Sequence, residues 1–307
     1  MITTVTFNPA IDKTAQVDQL IPGGLNRLKN VRQDAGGKGI NVSKTLKAAG
    51  QDSTAAGLIG GAAGDYIRKR MEELGIAHAF VRVDGDTRTN LKVLDAQMNL
   101  TELNEAGLYC TQKDLDRLMD LLSAREGILV LCGNTGPGVP HTVYRTLTER
   151  AHENGLRVIL DADGELFQEG IKAHPDVIKP NRFELAQYFG KSEDELDAQT
   201  MISLARTFIQ EGVRLVVISM GIEGSLFVTE ERALLAPALK IPFQSAVGAG
   251  DAMVAGLAYG MEHDLSLEET LVLAVALSAG ACMTEGTQPA DAETVEKLKK
   301  EVTWEEK

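Results

Sequence analysis

The chain has little cysteine, less positive than negative charge and no long apolar run, and each shortage excludes a class of protein. Only Cys110, Cys132 and Cys282 occur in 307 residues. They are odd in number and far apart, and two sit in apolar runs. That fits buried free thiols in a reducing cytosol rather than a disulfide framework. Lys and Arg number 31 against 44 Asp and Glu, a net charge of −13. So acidic a chain argues against nucleic acid, whose phosphate backbone demands a basic footprint. The longest apolar stretch, Leu271–Ala281, is too short and too rich in alanine to span a bilayer. The first residues, Ile2-Thr3-Thr4-Val5-Thr6-Phe7, read at once as a strand, without the basic and apolar regions of a signal peptide. A soluble, cytoplasmic protein with no nucleic-acid and no membrane partner is expected, and the sequons at Asn41 and Asn99 then carry no meaning. Internal repeats, low-complexity segments and a dividing linker are also missing, so one domain over residues 1–307 is expected.

Hydrophobic residues make up 44% of the chain, ample for a buried core. Short apolar runs at Ile128–Cys132, Arg157–Asp161, Asp176–Lys179 and Leu215–Ser219 are bounded by Gly, Pro or polar residues. Helical periods such as Thr142–Glu153 and Asp197–Glu211 lie between them. That alternation predicts βαβ units and a parallel sheet covered on both faces. Two segments break the rhythm, residues 12–33 and 87–105, where polar and apolar residues alternate as in Asn90-Leu91-Lys92-Val93-Leu94. They predict strands outside the main sheet, forming a small lid. Small-residue helices are expected over Asp251–Glu262 and Leu267–Met283.

The clearest local signal for chemistry is Ser245-Ala246-Val247-Gly248-Ala249-Gly250-Asp251 at the start of a helical pattern. Glycines let successive N–H groups point to one place, and a helix N-terminus adds partial positive charge there. An acid beside such an anion hole can take a proton from a hydroxyl. Equally, Asp251 on its own reads as a helix cap. Two other phosphate devices fail here. The dinucleotide fingerprint needs a glycine where Met253 stands, and a Walker A loop ending in Gly190-Lys191-Ser192 needs one where Leu185 stands.

A second signal is Asp34-Ala35-Gly36-Gly37-Lys38-Gly39-Ile40-Asn41-Val42-Ser43, glycines leading into a helix expected over Ile40–Ala49. Backbone there can approach a polyhydroxylated ligand, and Asn41 offers both a donor and an acceptor. A plain glycine turn packing a helix on a sheet is the alternative. Asn8-Pro9-Ala10-Ile11-Asp12, at the end of the first strand, places further polar residues where open α/β sheets bind ligands.

Gly36–Val42 resembles the first signature of the phosphofructokinase-B, ribokinase-like carbohydrate kinases, and Val247–Gly256 resembles the second. The resemblance extends over essentially the whole chain. It implies an α/β fold, a ribokinase-like three-layer αβα sandwich with a mostly parallel central sheet and a small β-sheet lid. It also implies ATP and Mg²⁺ as cofactors. Asp251 would be the catalytic base, with Gly248, Ala249 and Gly250 forming the anion hole. Lys179-Pro180-Asn181-Arg182-Phe183-Glu184 resembles the family's Asn-x-x-Glu element, so Asn181 and Glu184 would organise Mg²⁺ through water. Read alone, the pair is a helix cap and its capping-box partner. Ser219–Ser225 resembles the nucleotide-binding turn, which adds Lys179, Ser219, Gly221, Gly224 and Gly250 to the expected ATP contacts; alone, it reads as a hairpin.

On the sugar side the expected contacts are Asp12, Arg27, Gly37, Lys38, Asn41, Arg88 and Asn90. Arg27, Lys38, Arg88 and Lys92 gather cations that a phosphorylated sugar needs on an otherwise acidic chain, although each alone would be an ordinary surface charge. Thr87–Val93 and Thr101–Gly107 resemble the family members that act on fructose 1-phosphate. Tagatose 6-phosphate is the nearest alternative, fructose 6-phosphate the third, and a sensor that binds a phosphosugar without turnover belongs to another class. Two residues depart from the family pattern: Asn134 stands where a serine would face the sugar, and Asp163 stands at a usually neutral position as a candidate helix cap. A homodimer through the lid is expected, because apolar strand positions such as Leu91 and Val93 would need cover.

Overall fold

The computed structural model describes residues 1–97 and 99–307. In chain order the first half comprises β1 (Ile2–Thr6), β2 (Ala10–Gln16), β3 (Lys29–Gly36), α1 (Lys38–Ala48), β4 (Ser53–Ile59), α2 (Gly61–Glu73), β5 (Ala77–Arg82), β6 (Arg88–Leu94), β7 (Leu100–Asn104) and α3 (Gln112–Ser123). Next come β8 (Ile128–Cys132), α4 (Val143–Glu153), β9 (Arg157–Asp161), α5 (Gly164–Gly170), β10 (Val177–Ile178), α6 (Arg182–Tyr188), α7 (Ala198–Gln210) and β11 (Leu215–Ser219). The chain closes with β12 (Ser225–Val228), β13 (Ala233–Ala236), α8 (Ala249–Glu262), α9 (Leu267–Cys282), α10 (Ala292–Lys299) and β14 (Glu305–Glu306).

Ten strands form one sheet in the order β14-β13-β12-β11-β10-β9-β8-β1-β4-β5. From β11 to β5 every pairing is parallel, and β12, β13 and β14 extend the β11 edge antiparallel. The apolar runs are continuous because both faces are covered. Leu129 and Leu131 of β8 join Val158 and Leu160 of β9 in the core under α3–α7. Ile128, Val130 and Ile159 point to the opposite core, shared with Val42 and Leu46 of α1 and with α8 and α9. Helix, sheet and helix thus make the three expected layers. The small residues of α8 and α9 have a packing cause: a Cβ on Gly256 would lie 2.4 Å from the Ala274 Cα.

A second sheet, β3-β2-β6-β7, contains the strands of residues 12–33 and 87–105. Met98, inside the second segment, lies outside the described residues. Register places Asp12 beside Asn90, Asn90 beside Asn104 and Lys92 beside Glu102. With a period of two, Arg88, Asn90 and Lys92 share one polar face. An expectation is corrected here: Val93 is buried and Leu91 half-buried, and among the described residues the large exposed apolar side chains of this region are Ile21, Leu25, Leu28, Val31, Leu100 and Leu103.

Candidate active site

The C-terminal ends of the parallel strands and the polar face of the second sheet enclose a cleft of about 510 Å³. Strand β1 delivers Thr6 and Asn8 to it, and the chain then returns through β3 into α1. Gly37, the α1 N-cap, has φ 116°, and a Cβ there would meet Thr6 Cγ2 at 2.6 Å and the Pro9 Cα at 3.2 Å. Only glycine accepts both that conformation and that proximity. The turn brings Lys38 and Asn41, in the first turn of α1, to the cleft floor.

Opposite them begins α8. Its N-cap is Gly248, at φ 85°, so the helix starts at Ala249, two residues earlier than the sequence pattern suggests. Asp251 is therefore not the cap. Its carboxylate Oδ2 accepts a 2.8 Å hydrogen bond from Asn41 Nδ2, and the residue is 7% exposed. Burial pushes its carboxyl up to about 6, aided by the Asp161 charge; the Lys38 ammonium and the Asn41 hydrogen bond hold it from rising further. The Ala249 N–H is committed to Ala246 O at 3.2 Å. The anion hole expected of Gly248, Ala249 and Gly250 therefore loses its middle donor. Among the described residues no chain acceptor takes the N–H of Gly248, Gly250 or Asp251.

Between the two helix starts stands Asp161, at the end of β9 and 2% exposed. Lys179 Nζ approaches its Oδ1 at 3.4 Å and Lys38 Nζ its Oδ2 at 3.5 Å. Burial alone would raise this carboxyl, but the two ammonium groups outweigh it and hold it below the usual range. In turn, Asp161 pushes the Lys38 ammonium up. The pairing holds both lysines in place at the cleft, which is what a site for anionic phosphates requires. A Cβ on Gly250 would lie 3.5 Å from Lys179 Nζ, so the α8 N-terminus and this ammonium face one point.

Asn181 and Glu184 form the capping box of α6: Asn181 Oδ1 accepts from Glu184 N at 2.7 Å, and Glu184 Oε2 accepts from Asn181 N at 2.8 Å. Both also line the cleft, and burial raises the Glu184 carboxyl above its ordinary value. The cap and the cleft lining are therefore one arrangement, with Glu184 Oε1 left over. No group of three His, Cys, Asp or Glu among the described residues is arranged to hold a metal ion. Ser219 lines the same end through its bridge to Asn181.

From the second sheet, Asp12 accepts from Asn90 Nδ2 at 3.0 Å and lies 3.9 Å from Lys92 Nζ. Arg88 donates to Asn8 O and Glu105 O, each at 3.2 Å. Thr6 Oγ1, Asn41 Oδ1 and Asn90 Oδ1 are buried in this lining without a hydrogen-bond partner. Such atoms are costly unless something polar enters, and their spread suits a ligand carrying several hydroxyls.

Not every expected residue converges here. Arg27 is exposed in the segment between β2 and β3 and does not line the cleft. Gly221 and Gly224 also stay outside it, in the turn between the antiparallel strands β11 and β12. That hairpin turn is tied to α6 by Arg182 and Glu223, with Nη–Oε distances of 2.7 and 2.6 Å. Helix α9 contributes no residue to the lining. Asp163 occupies the α5 N-cap position, yet its side chain makes no capping hydrogen bond; it is exposed and lines the cleft beside Asn134. Asp161, Thr6, Glu102, Asn104 and Thr287, none of them among the residues expected from the sequence, also line it. For Asp161 a signal existed, an acid ending a buried strand.

The pfkB family carbohydrate kinase model matches residues 5–294. The chain is 42% identical over 284 residues to the 1-phosphofructokinase of Xanthomonas campestris pv. campestris, covering 90% of this chain and 89% of the other. It is 36% identical to the 1-phosphofructokinase of Rhodobacter capsulatus, at 98% and 96% coverage. A crystal structure of phosphofructokinase-2 from Escherichia coli in complex with potassium superimposes with a TM-score of 0.93 at 27% identity, covering 98% of both chains. A tetrameric inhibited form of that enzyme gives 0.91 at 26% identity, again over 98% of both.

Proposed function

The chain belongs to the pfkB family of carbohydrate kinases, and from that premise we propose that it transfers the γ-phosphoryl group of ATP to the 6-hydroxyl of fructose 1-phosphate, giving fructose 1,6-bisphosphate and ADP. The observation that carries the reading is Asp251. It is buried and oriented by Asn41, and it adjoins free N–H groups at a helix start and two lysines fixed on Asp161.

Asp251 removes the hydroxyl proton as the bond to phosphorus forms. The N–H groups of Gly248, Gly250 and Asp251 receive the charge on the transferring group, with Lys38 and Lys179 on either side. Phosphoryl transfer needs positioning and electrostatics rather than a covalent intermediate. Asp12, Asn41 and Asn90 bind ring hydroxyls, and Arg88 and Lys92 take the 1-phosphate. Mg²⁺, when bound, neutralises charge on the nucleotide phosphates, and Glu184 Oε1 with Asn181 would hold it through water, in keeping with its habit of retaining waters. Lys179, Asn181 and Ser219 line the nucleotide side of the cleft. The second sheet acts as a lid that excludes water, and its exposed Val31 and Leu103, with Leu25 in the segment between β2 and β3, support a homodimer through it.

The relatives named 1-phosphofructokinase support fructose 1-phosphate over tagatose 6-phosphate. ADP release measured over a panel of phosphosugars decides between them. The highest kcat/KM is expected for fructose 1-phosphate; a higher value for tagatose 6-phosphate would overturn the substrate assignment. Tight binding of one phosphosugar with no ADP would make the protein a sensor.

A further inference from the structure

Lys44 lies on α1, one turn beyond Asn41, is only 5% exposed, and has no carboxylate within ion-pair distance among the described residues. Its Nζ donates to Ala35 O at 3.1 Å and to Thr287 Oγ1 at 3.0 Å. Ala35 belongs to β3 of the second sheet. Thr287 lines the cleft and backs onto the α8 N-cap: a Cβ on Gly248 would lie 3.6 Å from the Thr287 Cα and 3.8 Å from its Cγ2. The same loop is clamped to β3 from its other side, where Arg32 Nη2 donates to Glu285 O at 3.0 Å and Gln288 Nε2 to Asp34 Oδ1 at 2.7 Å. Burying an ammonium on two neutral acceptors costs more than burying an apolar chain of the same length. Packing alone gives no reason for it.

We propose that Lys44 is a positioning residue for phosphoryl transfer, an internal cation that joins the second sheet to the loop of residues 284–288 and holds that loop against Gly248, so that the anion hole is set only when the sheet is in place. It touches neither substrate and acts through Thr287. The inference rests on the kinase reading of the cleft.

Protonation matters to this device, since an amine that has lost its charge holds two acceptors more weakly. Burial pulls the Lys44 ammonium down to about 8; Asp34 on β3, Asp12 on β2 and Asp251 on α8 work against that, and Arg32 on β3 works with it. The hole should therefore loosen as pH rises through about 8, well within the range of an enzyme assay.

The test compares wild type with Lys44→Met, Thr287→Val and Thr287→Ser. A hydrogen-bonding group two steps from the chemistry warrants roughly a tenfold fall in kcat, less than the ~10²-fold loss of a direct oxyanion donor. That fall is expected for Lys44→Met and Thr287→Val, with both KM values within about twofold because the interaction strengthens mainly in the transition state. Thr287→Ser should retain wild-type kcat, and the double variant Lys44→Met/Thr287→Val should be no worse than either single one. The alkaline fall in wild-type kcat should vanish in Lys44→Met. Wild-type kcat in a folded Lys44→Met, or an unchanged alkaline limb, would overturn the proposal. Thermal melts separate misfolding from mispositioning, since replacing a costly buried charge should leave the melting temperature equal or higher. Calorimetry of ADP with aluminium fluoride provides a readout that needs no sugar. Weaker binding by Lys44→Met supports the proposal and equal binding refutes it, while absence of wild-type turnover on every phosphosugar would count against the kinase reading alone.

Discussion

Replacing Asn41 with leucine should move the acid limb of the kcat–pH profile. Asp251 must be ionised to accept a proton, so activity rises as pH climbs through its value, placed by burial at about 6. Asn41 Nδ2 stabilises the ionised form through one 2.8 Å hydrogen bond. Hydrogen bonds to charged groups contribute about 1.5–3 kcal/mol, and about 1.4 kcal/mol corresponds to one pKa unit. Lys38 remains as the larger stabilising influence, so the lower end applies and a rise of about one unit is expected. At pH 6 the ionised fraction then falls from about a half to about a tenth, whereas near pH 7.5 it stays above about three quarters. The assay is ADP release at saturating substrates across pH 5–8, with each variant normalised to its own maximum so that lost sugar contacts cancel. An acid limb that stays near 6 in Asn41→Leu would refute the claim that this contact tunes the base.

Asp251→Asn should separate function from stability. The ionised carboxyl is disfavoured in the folded state, whose value of about 6 exceeds the ordinary 3.8, so its cost is present above pH 6 and disappears below pH 4. The neutral amide should therefore stabilise the protein at pH 7 by up to about 3 kcal/mol in urea unfolding, with little gain at pH 4. Glu184→Gln should raise the Mg²⁺ concentration needed for half-maximal activity while leaving the sugar KM within about twofold, as read by metal titration. Gly256→Val should destabilise by at least about 1–3 kcal/mol, because its side chain meets the Ala274 backbone across α8 and α9; chemical denaturation reports it. Leu103→Asp in the second sheet should halve the solution mass measured by light scattering if that sheet carries the dimer; an unchanged dimer mass would place the interface elsewhere.

Much of this arrangement was legible because its signals are local. Ile128–Cys132, Arg157–Asp161 and Leu215–Ser219 match β8, β9 and β11 to the residue, since strands buried on both faces read as bounded apolar runs. Strand β4, Ser-Thr-Ala-Ala-Gly-Leu-Ile, carries no such signal: small residues with weak β preference are held there by pairing with β1 and β5. In the sequence α8 reads as beginning only at Asp251 because Gly248, Ala249 and Gly250 resemble loop in composition, whereas φ 85° at Gly248 is a cap that only the fold discloses. Site residues with a glycine turn beside them were visible in the sequence. Those that depend on distant partners were not, as with Asp161, whose lysines come from α1 and from the end of β10, or Lys44, whose partner Thr287 is 243 residues away. Arg27 is the converse case, since proximity in sequence to a sugar loop does not bring it to the lining of this chain's cleft.

The general base is tested most directly by ADP release with fructose 1-phosphate and MgATP at pH 7.5, wild type beside Asp251→Asn. Turnover by wild type and a loss of about 10²-fold or more in kcat, with ATP binding retained, is the predicted result for a general base. Near wild-type turnover by the folded Asp251→Asn protein would contradict it.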